Sequence, residues 1–138
     1  MKLVLDASVV LRILLYEKGA EKYAKYFHPG EIPFVITNLT LYEIKAVMMR
    51  LERPRDEIVA ALAYSKSYSI TSDITEAIAL RAADLKAKYA EHDKTASEKA
   101  NVSLADAIML ALAEEKNLPV LTADKRLRQV TEVKIVTE

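Results

Sequence analysis

Lys2-Leu3-Val4-Leu5-Asp6-Ala7-Ser8 is the stretch that decides the fold. Its apolar run, Leu3 to Leu5, stops at a carboxylate after three residues, far short of a membrane span. A run this short with a β-branched centre reads as a buried strand. Helical spacing then takes over, with Ser8 placed to cap a helix through Tyr16. Short β-branched runs then alternate with longer helical stretches along the chain.

Gly19 separates that helix from a second piece around Ala20 to Phe27, which ends at His28-Pro29-Gly30. Pro33-Phe34-Val35-Ile36 is a second strand. Leu39 to Leu51 is helical, and Pro54 suits the first turn of a helix running to about Lys66. Tyr68-Ser69-Ile70 is a marginal strand, and a long helix runs from about Asp73 to Tyr89. Val102 to Lys116 is helical and Pro119-Val120-Leu121 a strand. Lys125 to Arg128 is a short helix, and Val133 to Val136 is the last strand. Strands separated by one or two helices demand a mostly parallel sheet covered on both faces. Glu91 to Asn101, charged and small, is a candidate loop insertion or extra helix.

The 138 residues fit one domain, 1–138, with no repeat and no linker. A hydrophobic share of 51% with 29% charged residues describes a globular chain rather than a disordered one. Cys is absent, which excludes disulfides, thiolate zinc sites and a cysteine nucleophile. The sequence runs straight into a strand without a signal-like segment, so a cytoplasmic location is the default expectation, with no membrane partner. With only two glycines, no phosphate-cradling loop can be written. Twenty basic and twenty acidic residues cancel, so no global positive field announces a nucleic-acid binder. A metal centre supplies positive charge locally, however, where a phosphate sits. Few Asn and Gln beside abundant Lys and Glu point weakly to a thermophilic source.

Four carboxylates stand in apolar company. Asp6 ends the first strand, and Asp124 follows Val120-Leu121-Thr122 in the same relation to the fourth. Ligands of parallel sheets bind beyond the carboxyl ends of the strands, above all where strand order reverses. If those two strands are neighbours, both acids point into one crevice. At helical spacing Glu43 has Leu39, Thr40, Ala46 and Val47 around it, and Asp106 has Val102, Met109 and Leu110. A carboxylate on such a stripe is costly to bury unless it is paired or metal-bound.

Plainer readings exist for each. Thr40-Leu41-Tyr42-Glu43 and Ser103-Leu104-Ala105-Asp106 both match a capping box. A helix starting at Asn38 would put Glu43 beyond the cap. Asp124 can cap the short helix after it, and Asp6 can close an Asx turn. All four coincidences together are far less expected than any one. Ser8 and Thr122, each two positions from a strand-end acid, are cap hydroxyls or supports for a carboxylate. Lys125, Arg126 and Arg128 are placed to meet phosphates or to form a solvated helix face. His28 and His92 read as surface histidines, and the tyrosines as half-buried core.

Taken in order, Leu5-Asp6-Ala7-Ser8, Glu43, Ser103-Leu104-Ala105-Asp106-Ala107 and Leu121-Thr122-Ala123-Asp124 resemble the PIN-domain family, and most of all its VapC-type toxin ribonucleases. The resemblance covers essentially the whole chain. It implies a three-layer α/β/α fold around a five-stranded parallel sheet of order 3-2-1-4-5, with the first and fourth strands adjacent. It also implies an Mg²⁺- or Mn²⁺-dependent endoribonuclease acting on RNA, a homodimer, and inhibition by a cognate antitoxin. Asp6, Glu43, Asp106 and Asp124 match the family's acidic quartet, which holds the metal, and Ser8 and Thr122 match its supporting hydroxyls. The stretch Glu91 to Asn101 departs from the family by its length.

Three rivals follow from the residues. A phosphotransferase with Asp6 as nucleophile commonly wants a second acid two positions on, where this chain has Ser8. A PIN-fold RNA-binding or RNA-processing module would keep the fold with weak or no catalysis. In an unrelated α/β domain the acids would be caps and core polar groups.

Overall fold

The computed structural model describes residues 2–90 and 102–138. The expectation for Glu91 to Asn101, and that for His92, lie outside them. Five strands, β1 (Leu3–Leu5), β2 (Phe34–Ile36), β3 (Ser69–Thr71), β4 (Val120–Leu121) and β5 (Ile135–Val136), form one sheet. Its order is β3-β2-β1-β4-β5 and every pairing is parallel. The helices are α1 (Ala7–Leu14), α2 (Ala20–Ala24), α3 (Asn38–Arg50), α4 (Arg55–Ser67), α5 (Glu76–Lys88) and α6 (Leu104–Lys116). The short piece Lys125–Gln129 is a 3-10 helix.

Alternation along the strands sorts the helices onto two faces. Leu5, Phe34, Ile36 and Leu121 pack with α1, α2, α3 and α4 through Val9, Tyr23, Ile44, Met48 and Ile58. Val4, Val35 and Val120 point the other way, against Ile78, Ala82 and Leu85 of α5 and the buried run Ala107–Ala113 of α6. Successive side chains of a strand face opposite ways, so three residues of β1 are enough to anchor two cores. Helices on both faces make the expected three-layer α/β/α architecture.

Register places the site. Val4 pairs with Val35 on one side and Val120 on the other, and Leu5 with Leu121. The chain winds outward from β1 through β2 to β3, then returns to the other flank with β4 and β5. Strand order therefore reverses between β1 and β4, and an acid follows each strand, Asp6 one residue past β1 and Asp124 three past β4.

Helix starts differ from the sequence expectation at two places. Asp6, rather than Ser8, is the N-cap residue of α1, and Ser8 lies inside its first turn. At α3 the box forms between Thr37 and Thr40, a turn earlier than Thr40–Glu43. The backbone amides to be satisfied begin where β2 ends, and β2 ends at Ile36. This leaves Glu43 with no capping role. The remaining helices start and stop within about three residues of expectation, as end fraying allows.

Candidate functional site

Asp6 is 5% exposed at the carboxyl end of β1. Two hydroxyls converge on one of its oxygens: Thr122 Oγ1 donates to Oδ2 at 2.6 Å and Ser8 Oγ donates to it at 2.7 Å. Each hydroxyl also accepts a backbone amide from the segment after β4, Thr122 from Asp124 at 3.0 Å and Ser8 from Ala123 at 3.0 Å. A hydroxyl has one proton to give. With both protons spent on Asp6, the 3.3 Å contact between the two hydroxyl oxygens is proximity rather than a bond. The network stitches β1, α1 and the turn after β4 into one unit and leaves Oδ1 as the oxygen neither hydroxyl engages. The expected support from Ser8 and Thr122 is what the geometry provides.

Below this network lies Tyr23, 1% exposed, donating to the Thr122 carbonyl at 3.3 Å and accepting the Glu138 amide at 3.1 Å. Sequence reading treated it as half-buried core. A Tyr in a short, mostly exposed helix gives no signal of which distant carbonyl its hydroxyl will reach.

Glu43 projects from the middle of α3, partly buried. Burial, then the nearby charges of Asp6 and Asp106, push its carboxyl up from 4.5 to about 7. Asp106, third residue of α6, is pushed up to about 6 by burial and by Asp6 and Asp124, against the lowering effect of Ser103. Asp6 is also raised, chiefly by burial, although Thr122 and Ser8 stabilise its charged form. These mutual influences mark one cluster: Asp6 acts on both Glu43 and Asp106, and Asp124 acts on Asp6 and Asp106.

Two of the plainer readings hold at the same time. Asp106 and Ser103 form a reciprocal capping box, at 3.1 and 3.2 Å. Asp124 caps the 3-10 helix through the Arg126 amide at 3.0 Å. Asp124 also receives the Arg126 guanidinium on both oxygens, each at 3.1 Å. Burial would raise Asp124, but Arg126 prevails and holds it below the ordinary carboxylate value. Arg126 thus faces an acid, where its position in sequence had suggested a phosphate contact. Arg128 reaches Thr137 at 3.4 Å.

The donor set fits a hard divalent cation: crowded carboxylates, two of them raised by burial and then by neighbouring acids, and one fixed by two hydroxyls. Among the described residues no three His, Cys, Asp or Glu side chains already enclose a point at ligand distance. Asp124 accounts for part of that, since both its oxygens are turned to Arg126.

The PIN domain family profile matches residues 3–133. The chain belongs to the PIN domain family. No curated protein matches it by sequence. Among solved structures, this PIN domain is similar to a chain of a toxin–antitoxin complex from Klebsiella pneumoniae, at 19% identity and a TM-score of 0.66, covering 99% of this chain and 97% of that one. It is similar to a chain of VapBC2 from Rickettsia felis bound to a promoter DNA fragment, at 11% identity, a TM-score of 0.72, and 99% and 98% coverage. A third likeness is to the Mycobacterium tuberculosis toxin VapC20, described as cleaving the sarcin–ricin loop, at 17% identity and a TM-score of 0.66, with 96% and 99% coverage. At such identities these likenesses speak for the PIN fold. Among the described residues, no helix is long and apolar enough to cross a membrane.

Proposed function

We propose that residues 1–138 act as a single PIN domain that hydrolyses RNA phosphodiester bonds with Mg²⁺ or Mn²⁺, as the toxin of a toxin–antitoxin pair. The observation that carries this reading is the electrostatic cluster at the β1–β4 switch point, where Glu43 and Asp106 are driven up to about 7 and about 6 by burial and by Asp6. Carboxylates that are both buried and crowded are costly to ionise unless a cation offsets that cost.

Asp6, Glu43, Asp106 and Asp124 would hold the ion or ions. A bound divalent ion supplies an activated water and neutralises charge on the phosphate. Ser8 and Thr122 keep the Asp6 carboxylate in one orientation and favour its charged form by giving both their protons to Oδ2. Glu43, pushed up to about 7, would release its proton fraction on holding a cation. Arg126 occupies Asp124 until a stronger cation competes.

Partners follow from the company the fold keeps. The similar structure from Klebsiella pneumoniae is a toxin–antitoxin complex, and on that ground we assign this chain a cognate antitoxin. A homodimeric state and a cytoplasmic site of action are part of the same proposal and rest on the sequence reading alone. Co-expression with the product of the adjacent reading frame should silence the activity if that product is the antitoxin.

The central experiment is RNA cleavage in Mg²⁺ or Mn²⁺ by wild type and by Asp6→Asn. Wild type is expected to cleave and the variant to lose activity by at least about a hundredfold. Equal activity in the two sinks the mechanism. The pairing of Asp124 with Arg126 favours a second reading, an RNA-binding or RNA-processing module without catalysis. Metal-independent RNA affinity together with no divalent-metal binding in a titration would decide for it.

A further inference from the structure

Beside the acidic cluster the surface changes sign. Two adjoining clefts share Arg12 and Glu17. The first, about 280 Å³, starts at Ser8 and Asp124 and so opens directly off the acidic cluster. The second, about 320 Å³, lies beyond Arg12 and is lined by Lys18, Lys22 and Lys125, with Glu17 and Glu138 as its acids. Four cations face two anions there, in a chain whose total charge is zero.

Both anions are already engaged. Glu138 is held by the Tyr26 hydroxyl and by Lys25 at 3.1 Å, and Glu17 stands 4.0 Å from Arg12. Among the described residues no ion pair within 4.0 Å is formed by Lys18, Lys22 or Lys125, all of them exposed. Arg12 adds a further sign. Its Nη1 donates to the Lys18 carbonyl at 3.3 Å, and its buried Nε makes no hydrogen bond, the Glu17 carboxylate standing 4.0 Å from it. A buried N–H of a guanidinium left without an acceptor is uncommon and costly. It lies where the two clefts meet.

We infer that the cleft of Arg12, Lys18, Lys22 and Lys125 is a subsite for backbone phosphate of single-stranded RNA, next to the phosphate held at the acidic cluster. For the kind of ligand, this rests on the nuclease reading above. Four carboxylates repel a polyanion, so a strand reaches them only if cations close by offset that repulsion. Separate lysine ammonium groups on a polar floor suit the spaced point charges of a phosphate backbone. The Arg12 fork at the junction suits a phosphate that bridges the two clefts. Lys125 ties the subsite to the cluster, because it follows Asp124 directly.

The test is fluorescence anisotropy with a fluorescein-labelled, mixed-sequence single-stranded RNA, in an Asp6→Asn background so that the probe stays intact. Lys18→Ala, Lys22→Ala and Lys125→Ala are each expected to weaken binding several-fold at low salt. Together they should flatten the slope of log affinity against log salt by about 2, at about 0.7 per lost phosphate contact. Lys116→Ala, at the opposite end of α6 from Asp106, should change neither quantity. The lysines are exposed, so the variants should keep the wild-type circular dichroism. Wild-type affinity and slope in the triple variant overturn the subsite, as does absence of RNA binding by the parent protein. Loss of affinity for polyglutamate with RNA binding unchanged overturns it too, and assigns the cleft to an acidic peptide. The two readings separate cleanly. Lysine-dependent binding without cleavage by the Asp6 protein in Mg²⁺ or Mn²⁺ ends the nuclease reading and leaves the subsite; cleavage indifferent to the lysines does the reverse.

Discussion

Thr122 Oγ1 donates to Asp6 Oδ2 at 2.6 Å, joining the ends of β4 and β1 through two fully or nearly fully buried side chains. The same oxygen accepts the Asp124 amide, so one hydroxyl serves two acids of the cluster. Thr122→Val keeps the shape and removes both bonds. Unfolding in urea should show a loss of about 1–3 kcal/mol, the usual cost of orphaning buried polar groups. RNA cleavage should fall about 10–100-fold through the disordered Asp6 carboxylate. A variant as stable and as active as wild type would remove Thr122 from the site.

The raised carboxyls predict an unusual dependence of stability on pH. Glu43 lies near 7 in the fold against an ordinary 4.5, and Asp106 near 6 against 3.8. An acid raised by folding favours the native state in its protonated form. Its contribution is therefore full below the unfolded value and is lost as pH climbs through the folded one. Without divalent cations, stability should fall as pH rises from about 4.5 to about 7. Glu43→Gln should remove about 1–2 kcal/mol of that fall, after allowance for its partial exposure. Denaturant midpoints measured across this range check it, and identical profiles for the two proteins would refute it.

Arg126 donates to both oxygens of Asp124, the two that the proposed metal ion would need. Arg126 is exposed, and such pairs contribute about 0.2–1 kcal/mol. Arg126→Ala should accordingly tighten Mn²⁺ binding by about two- to fivefold in calorimetry. Weaker binding would mean that Arg126 assists the site instead of guarding it.

Tyr23→Phe tests the layer beneath the cluster. The hydroxyl gives one hydrogen bond to the Thr122 carbonyl and takes one from the Glu138 amide. Its removal should cost about 1–2 kcal/mol in thermal or chemical unfolding, with a smaller effect on cleavage than Thr122→Val. A larger effect on cleavage than on stability would place Tyr23 closer to the chemistry than its burial suggests.

The architecture was legible because β1, β2 and β4 are short apolar runs between helices of thirteen residues with regular periodicity. The strand-end acids were legible for the same reason, since a parallel sheet fixes where its strands stop. Glu43 was legible from its apolar neighbours, and the true start of α3 frees it from the cap that competed for it. What a single sequence withheld were long-range partnerships. Nothing near Ser8 announces that its hydroxyl turns back to Asp6 and accepts from Ala123, because the cap position it seemed to fill lies two residues earlier. Arg126 was readable as a cation near phosphate, but not as the clamp on Asp124, since two residues of a 3-10 turn bring it round onto its own cap.

The central place of β1 has a consequence for when the site comes into being. During synthesis β1 can pair with β2, and β2 with β3, as soon as those segments emerge, burying Leu5 against α1 and α3. Asp106, Thr122 and Asp124 come from the last quarter or so of the chain. Until β4 docks on the other flank of β1, Asp6 lacks its Thr122 donor and the switch-point crevice has one wall. The closure of the longest loop in the fold comes last on entropic grounds. A partly made or wrongly docked chain therefore lacks the assembled acidic cluster, so any activity of that cluster would report completed folding.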